Sequence, residues 1–138
     1  LLQDIYSNVK MGSESIINLL PKVNDTALKS MMTTQLDTYE KYAKRVRDQL
    51  TAQGITPKEP NPISKISSKI GMEMKSLQDS TTSHMAEMMV QGSTMDVTDL
   101  LQKVSAYEKM PECKNSVTLA KEIVAFEERN IEKMKDFL

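Results

Sequence analysis

Glu127 and Asn130 stand three residues apart in IVAFEERNIEKM, residues 123–134, on a stripe formed at helical spacing by Ala120, Ile123, Val124, Ile131, Met134 and Leu138. Side chains one turn apart can converge on a shared ligand or on each other. Metal coordination and hydrogen bonding are the chemistries open to this pair. A carboxylate on an apolar stripe is costly unless it is paired, liganded or protonated.

A second candidate set opens at the single histidine. His84, Met85, Glu87, Met88 and Met89 fall within two helical turns in HMAEMM, and imidazole with thioethers is a ligand set for copper, Cu(I) above all. The plainer reading carries more weight: methionines at helical spacing fill gaps between helices, and His84 with Glu87 is an ordinary i,i+3 surface pair. Cys113 follows Pro111 in a turn at a helix start, a lone thiol whose default reading is a free turn cysteine. A Cys–His nucleophile needs its base within reach, and His84 opens a different helix. None of the four glycines falls in a phosphate-cradling pattern, and there are no strands to carry one.

The elements that hold these residues follow from the spacing of apolar positions. Residues 1–20 place Leu2, Ile5, Val9, Ile16, Ile17 and Leu20 on one face, with Gly12 and Ser13 at the centre and Pro21 as terminator. After an N-cap at Asn24 or Asp25, a second helix carries Leu28, Met31, Met32, Gln35, Tyr39, Tyr42, Val46 and Leu50, and stops at Gly54. The short connection makes the pair antiparallel. Lys44, Arg45 and Arg47 near its end complement the helix dipole and read as a solvated face.

GITPKEPNP, residues 54–62, is a proline-rich linker. It leads into a short amphipathic helix with the stripe Ile63, Ile66, Ile70, Met74 and Leu77. Asp79, Ser80 or Thr81 caps the next helix, about 82–108, which carries Met85, Met89, Val90, Ser93, Val97, Leu100, Val104 and Tyr107. KMPEC turns into the last helix, roughly 113–137. The whole of 1–138 thus reads as one domain: a hairpin over 1–54, a linker and crossover helix over 55–80, and a hairpin over 81–138.

Composition agrees. The chain has 138 residues, eleven Met, no Trp, four Gly and five Pro, enough for one helical core and too few for two ordinary domains. A net charge of −1 with acids and bases interspersed offers no basic field for nucleic acid or anionic lipid. One cysteine excludes an intrachain disulfide and any cysteine-based cluster, so a reducing cytoplasm fits best. No apolar run spans a membrane and no signal-peptide pattern stands at the start. The chain opens at Leu1 already within helical periodicity, so residues upstream are expected to have been removed. No cofactor is called for.

The two hairpins can be laid on each other. Gly12-Ser13 falls on Gly92-Ser93, Ile5 on Met85, Val9 on Met89, Ile17 on Val97 and Leu20 on Leu100; with Gln35 on Glu127, Thr38 falls on Asn130 and Tyr39 on Ile131. Two antiparallel hairpins joined by a long crossover, with polar residues at mid-helix, resemble the ferritin-like four-helix bundles, and bacterial ferritin-like domains of unknown function are the nearest label. That resemblance implies an all-α fold. It also implies a di-metal centre with one Glu from each of two helices and a Glu-x-x-His from each of the others. Those positions here are Ser13, Ser93, Gln35-x-x-Thr38 and Glu127-x-x-Asn130, so Glu127 alone survives from the ligand set. One carboxylate does not neutralise two divalent ions in a dry core.

The expected arrangement is therefore a polar core belt of Ser13, Gln35, Thr38, Ser93, Glu127 and Asn130, with Gln35 and Asn130 donating to Glu127. The alternative puts Glu127 at the edge of the stripe, reaching water. The function read from this is a non-enzymatic structural or interaction module, forming a homodimer or taking a partner helix through Ile63, Ile66, Ile70, Met74 and Leu77. The competing reading is metal handling, at Glu127 or at His84, Met85 and Met88.

Overall fold

A computed structural model describes residues 1–60 and 81–138. The crossover helix expected over 63–77, with its stripe of Ile63, Ile66, Ile70, Met74 and Leu77, lies outside the described residues.

The regular structure of the described residues is helical throughout. Helix α1 spans Leu2–Leu19 and passes into a 3-10 turn, Leu20–Lys22, where Pro21 sits at the turn's start. Pro21 lacks an N–H to extend an α-helix from within, which fixes the change of pitch. Helix α2 spans Thr26–Ala52 and is capped by Asp25, whose side chain accepts from the Leu28 N–H at 2.8 Å. Two residues past its end Gly54 takes φ +75°, the left-handed turn that glycine adopts without a Cβ clash. Helix α3 spans Thr82–Tyr107, with the Thr81 hydroxyl accepting from the His84 N–H. The 3-10 turn Pro111–Cys113 then leads into α4, Lys114–Met134, which tightens into a final 3-10 turn over Lys135–Phe137.

Specific contacts fix how the four helices run. On α1 and α2, Gly12 lies against Tyr39 and Leu2 beside Gln49 and Ala52, so the pair is antiparallel. Between α1 and α3, Asp4 faces Lys103 and Asn8 donates to the Asp96 carbonyl and the Asp99 carboxylate, both at 3.3 Å; this pair is antiparallel as well. Arg45 bonds Glu122 at 3.0 Å and Tyr39 meets Phe126, which sets α4 antiparallel to α2. It follows that α2 and α3 point the same way, and that the end of α2 and the start of α3 lie at opposite ends of the bundle. The chain leaving α2 is already tied back along α1. Gln3 exchanges two hydrogen bonds with the backbone of Lys58, at 2.7 and 2.9 Å, and Tyr6 donates to Glu59.

The core is aliphatic and methionine-rich. Ile5, Tyr6, Val9, Leu28, Met32, Ala43, Val46, Met85, Leu100, Ala120 and Ile123 are wholly inaccessible, and burial of such side chains at ~25 cal/mol per Å2 is the main force for folding. Two expected stripe positions are displaced. Ile17 is exposed and Leu19 takes the core position, because the stripe 5, 9, 12, 16, 19 precesses by a helical step that leaves residue 17 about 100° from residue 16. Leu138 is also exposed, since the α-helix ends at Met134 and the 3-10 turn shifts the phase. Among the described residues no helix is long and apolar enough to cross a membrane.

Candidate functional site

At mid-bundle the core turns polar. Ser13, Gln35, Ser93, Glu127 and Asn130 are all buried, with Ser13 and Glu127 at 0 % exposure. Glu127 therefore occupies the centre of the core, and the edge placement is not the one observed.

The hydrogen bonds expected to knit this layer are not formed. Both carboxylate oxygens of Glu127, both polar atoms of the Gln35 amide and the Asn130 Nδ2 lack a partner. Beside this layer α2 meets α4 through aromatic rings. The Tyr39 and Phe126 rings pack edge to face between them with centroids 5.1 Å apart, and Tyr42 adds a tilted contact at 5.6 Å. Aromatic pairs of this kind favour edge-to-face or offset packing.

Two serines and a threonine behave differently from one another. Ser13 donates to Glu40 on the neighbouring helix, outward and away from Glu127. Ser93 faces Glu127 and favours its charged form. Thr38 leaves the belt altogether: it is half-buried, and its hydroxyl donates to the Thr34 carbonyl at 3.2 Å, the usual back-bond of a helical threonine.

The electrostatics of the layer are those of acids without a counter-ion. Burial pushes the Glu127 carboxyl up from 4.5 to about 7, against the opposing pull of Tyr39, Ser93 and Asn130, none of which closes a hydrogen bond to it. Asp96, three residues after Ser93 on α3, is driven well above the ordinary carboxyl range by burial first and then by the charges of Glu127 and Asp99. Burial, followed by the negative charges of Glu127 and Asp96, likewise holds the Tyr39 hydroxyl protonated far above its usual range. Each group makes its neighbour harder to ionise, as expected for like charges in a medium of low polarity.

Asp96 and Tyr39 are thus members of this site that the stripe pattern did not identify as such. Asp96 stands between Met95 and Val97 and reads as a surface acid. The available signal was its i+3 relation to Ser93, which puts both on one flank of α3.

The copper-type set is dispersed. Met85 and Met88 are buried in the core, whereas the His84 imidazole sits toward the surface with Nδ1 3.6 Å from Glu87. Cys113 is half-buried at the foot of α4. Among the described residues no three His, Cys, Asp or Glu side chains gather closely enough to hold a metal ion. The three basic side chains near the end of α2 are engaged: Lys44 with Asp48, Arg45 with Glu122, and Arg47 beside Tyr6.

No protein-family model matches the chain, and no curated protein sequence matches it.

Proposed function

We propose that this chain is a ferritin-like bundle without a working di-metal centre, serving as a self-associating structural or protein-interaction module in a bacterial cytoplasm, and catalysing no reaction. One observation carries the reading. The interior positions that would supply single carboxylates in a di-metal bundle hold Ser13 and Ser93, and the paired positions hold Gln35 with Thr38 and Glu127 with Asn130. Two divalent ions in a dry core require several carboxylates and imidazoles to replace their hydration. Running α1 and α3 antiparallel, with α2 and α3 parallel, further supports the ferritin-like reading.

The contact surface in this reading is the stripe Ile63, Ile66, Ile70, Met74 and Leu77, which would be buried against a second copy or a partner helix. Sedimentation equilibrium of the parent and of the Ile66→Asp, Ile70→Asp double variant tests it. A dimer that dissociates on substitution supports the reading, and a parent that is monomeric at all concentrations overturns self-association.

Metal handling is the second reading, favoured by the two unpartnered oxygens of Glu127. Elemental analysis of untagged protein, with melting curves in Fe(II), Mn(II), Zn(II) and Cu(I), separates the two. A bound ion stabilises the fold in proportion to the logarithm of its concentration over Kd. A metal-dependent rise in Tm that disappears in Glu127→Gln would replace the first reading with the second.

A further inference from the structure

The seam between α1 and α3 holds two adjoining spaces, one almost wholly apolar and one with more polar lining. The apolar one is a pocket of about 50 Å3 walled by Met11, Ile16, Met88, Met89, Gly92 and Met95, and lined also by Tyr39 and Ser93. The other is a groove of about 360 Å3 bordered by Asp4, Asn8, Asp99 and Lys103. Asp96, Met11 and Met95 line both.

Asp96 is the hinge of the arrangement. Its carbonyl accepts from Asn8, but among the described residues neither a hydrogen bond nor an ion pair engages its carboxylate. The cation of the groove, Lys103, leans toward Asp4 at 4.0 Å. The charges facing Asp96 are acidic from two sides, Asp99 on its own helix and Glu127 from α4, with the Tyr39 hydroxyl nearby from α2. The wall beside it gives way without backbone movement, because thioethers are flexible and polarisable. Gly92 leaves open space, where an added Cβ would meet nothing within 4 Å.

We propose that this seam binds a small amphipathic organic cation, an alkylammonium whose short hydrocarbon chain enters the methionine-walled cavity while its charged head lies against Asp96 and Asp99. An apolar pocket with a few convergent polar groups is the usual form of a small-ligand site, and an ammonium supplies three donors to acids that have too few. A plain inorganic cation has no use for the apolar half, and a neutral alcohol leaves the acidic half unmatched. Burial raises the Asp96 carboxyl above the ordinary range, and a cation beside it favours the charged form, so binding is coupled to loss of a proton over that range. Affinity accordingly rises with pH. This site is independent of the bundle's proposed role as an interaction module.

Isothermal titration of the full chain with butylammonium chloride tests the proposal, with 1-butanol and sodium or magnesium chloride as comparison ligands. The expected result is saturable 1:1 binding of butylammonium, tighter at higher pH, with proton uptake by the buffer. Butanol and the inorganic salts should bind at least about tenfold more weakly, the discrimination expected of one charge-assisted contact or of one filled apolar pocket. Asp96→Asn should weaken butylammonium by a similar factor, and Gly92→Leu, which fills the cavity and leaves the acids in place, should do the same. Circular dichroism establishes that both variants are folded. Equal binding of butanol, competition by sodium or magnesium at matched concentration, binding that survives both substitutions, or no saturable binding in the parent would each overturn it.

Discussion

A Cβ placed on Gly12 would stand 2.6 Å from Cε1 and 2.7 Å from Cζ of Tyr39. The aromatic ring of α2 thus lies directly on the backbone of α1, and no other residue type leaves room for it. This approach holds the Tyr39 ring edge-on to Phe126 and its hydroxyl near Glu127. The glycine consequently positions the polar centre from the far side of the bundle.

Gly12→Ala is expected to destabilise the protein by about 1–3 kcal/mol, the usual cost of forcing extra volume into a packed core. At Gly92 on α3 the absent side chain faces open space instead. Gly92→Ala is therefore expected to stabilise α3 by about 0.5–1 kcal/mol, because alanine loses less backbone freedom on folding. Urea denaturation of the two variants should move the midpoint in opposite directions. A shift in the same direction would contradict the difference in packing.

The Glu127 carboxyl makes stability depend on pH in a definite sense. Its folded value of about 7 lies above the ordinary 4.5, so the native state holds a proton that the unfolded chain gives up. Stability from this group is complete below about pH 4.5, falls as pH rises toward 7, and then levels off. At roughly 1.4 kcal/mol for each tenfold in proton affinity, the loss amounts to about 3 kcal/mol. Asp96 adds to it in the same direction. Glu127→Gln should flatten the profile and exceed the parent in stability at pH 8, because a neutral amide avoids the cost of a buried charge. Denaturant melts at intervals from pH 5 to 8 read this directly; a parent that becomes more stable toward pH 8 would refute the sign.

The four helices were legible because each apolar stripe keeps a period near 3.6 and each boundary carries a local signal. Asp25, Thr81, Pro21 and Gly54 act as a sequence reader expects. The burial of Ser13, Gln35, Ser93, Glu127 and Asn130 was legible for the same reason. What they do with their polar atoms was not, since that depends on distances between side chains of different helices, which spacing along one helix does not give. Thr38 was misplaced because periodicity locates a backbone position and says nothing of a hydroxyl that bonds its own helix. Asp96 was overlooked because its surroundings come from α1 and α4, through a register between helices that no local pattern encodes.

Asp25 offers a check on local stability that is separate from the core. Its carboxylate accepts the Leu28 N–H at the start of a 27-residue helix. Asp25→Ala should cost about 1 kcal/mol, the typical value for a lost N-cap, whereas Asp25→Asn should cost less because the amide oxygen still accepts. Equal losses for the two would point to the charge interacting with the helix dipole. Thermal melts at low and at high salt distinguish these, since a dipole contribution is screened and a hydrogen bond is not.

The Tyr39 hydroxyl tunes the titration of Glu127. It is one of three neighbours that draw the Glu127 carboxyl downward, against the larger effect of burial. Removing it in Tyr39→Phe keeps the ring against Gly12 and Phe126 and withdraws only the polar oxygen. The Glu127 titration should then move upward from about 7, because the charged form loses a favourable partner while burial is unchanged. Carbon-detected NMR of the glutamate side-chain carboxyl, followed across pH 5–9, measures the midpoint without relying on unfolding. The loss of stability with rising pH should extend correspondingly further into the alkaline range. If the midpoint instead falls, water has entered the space vacated by the hydroxyl and solvates the carboxylate, and the dry centre inferred from the unpartnered oxygens of Glu127 does not persist without Tyr39.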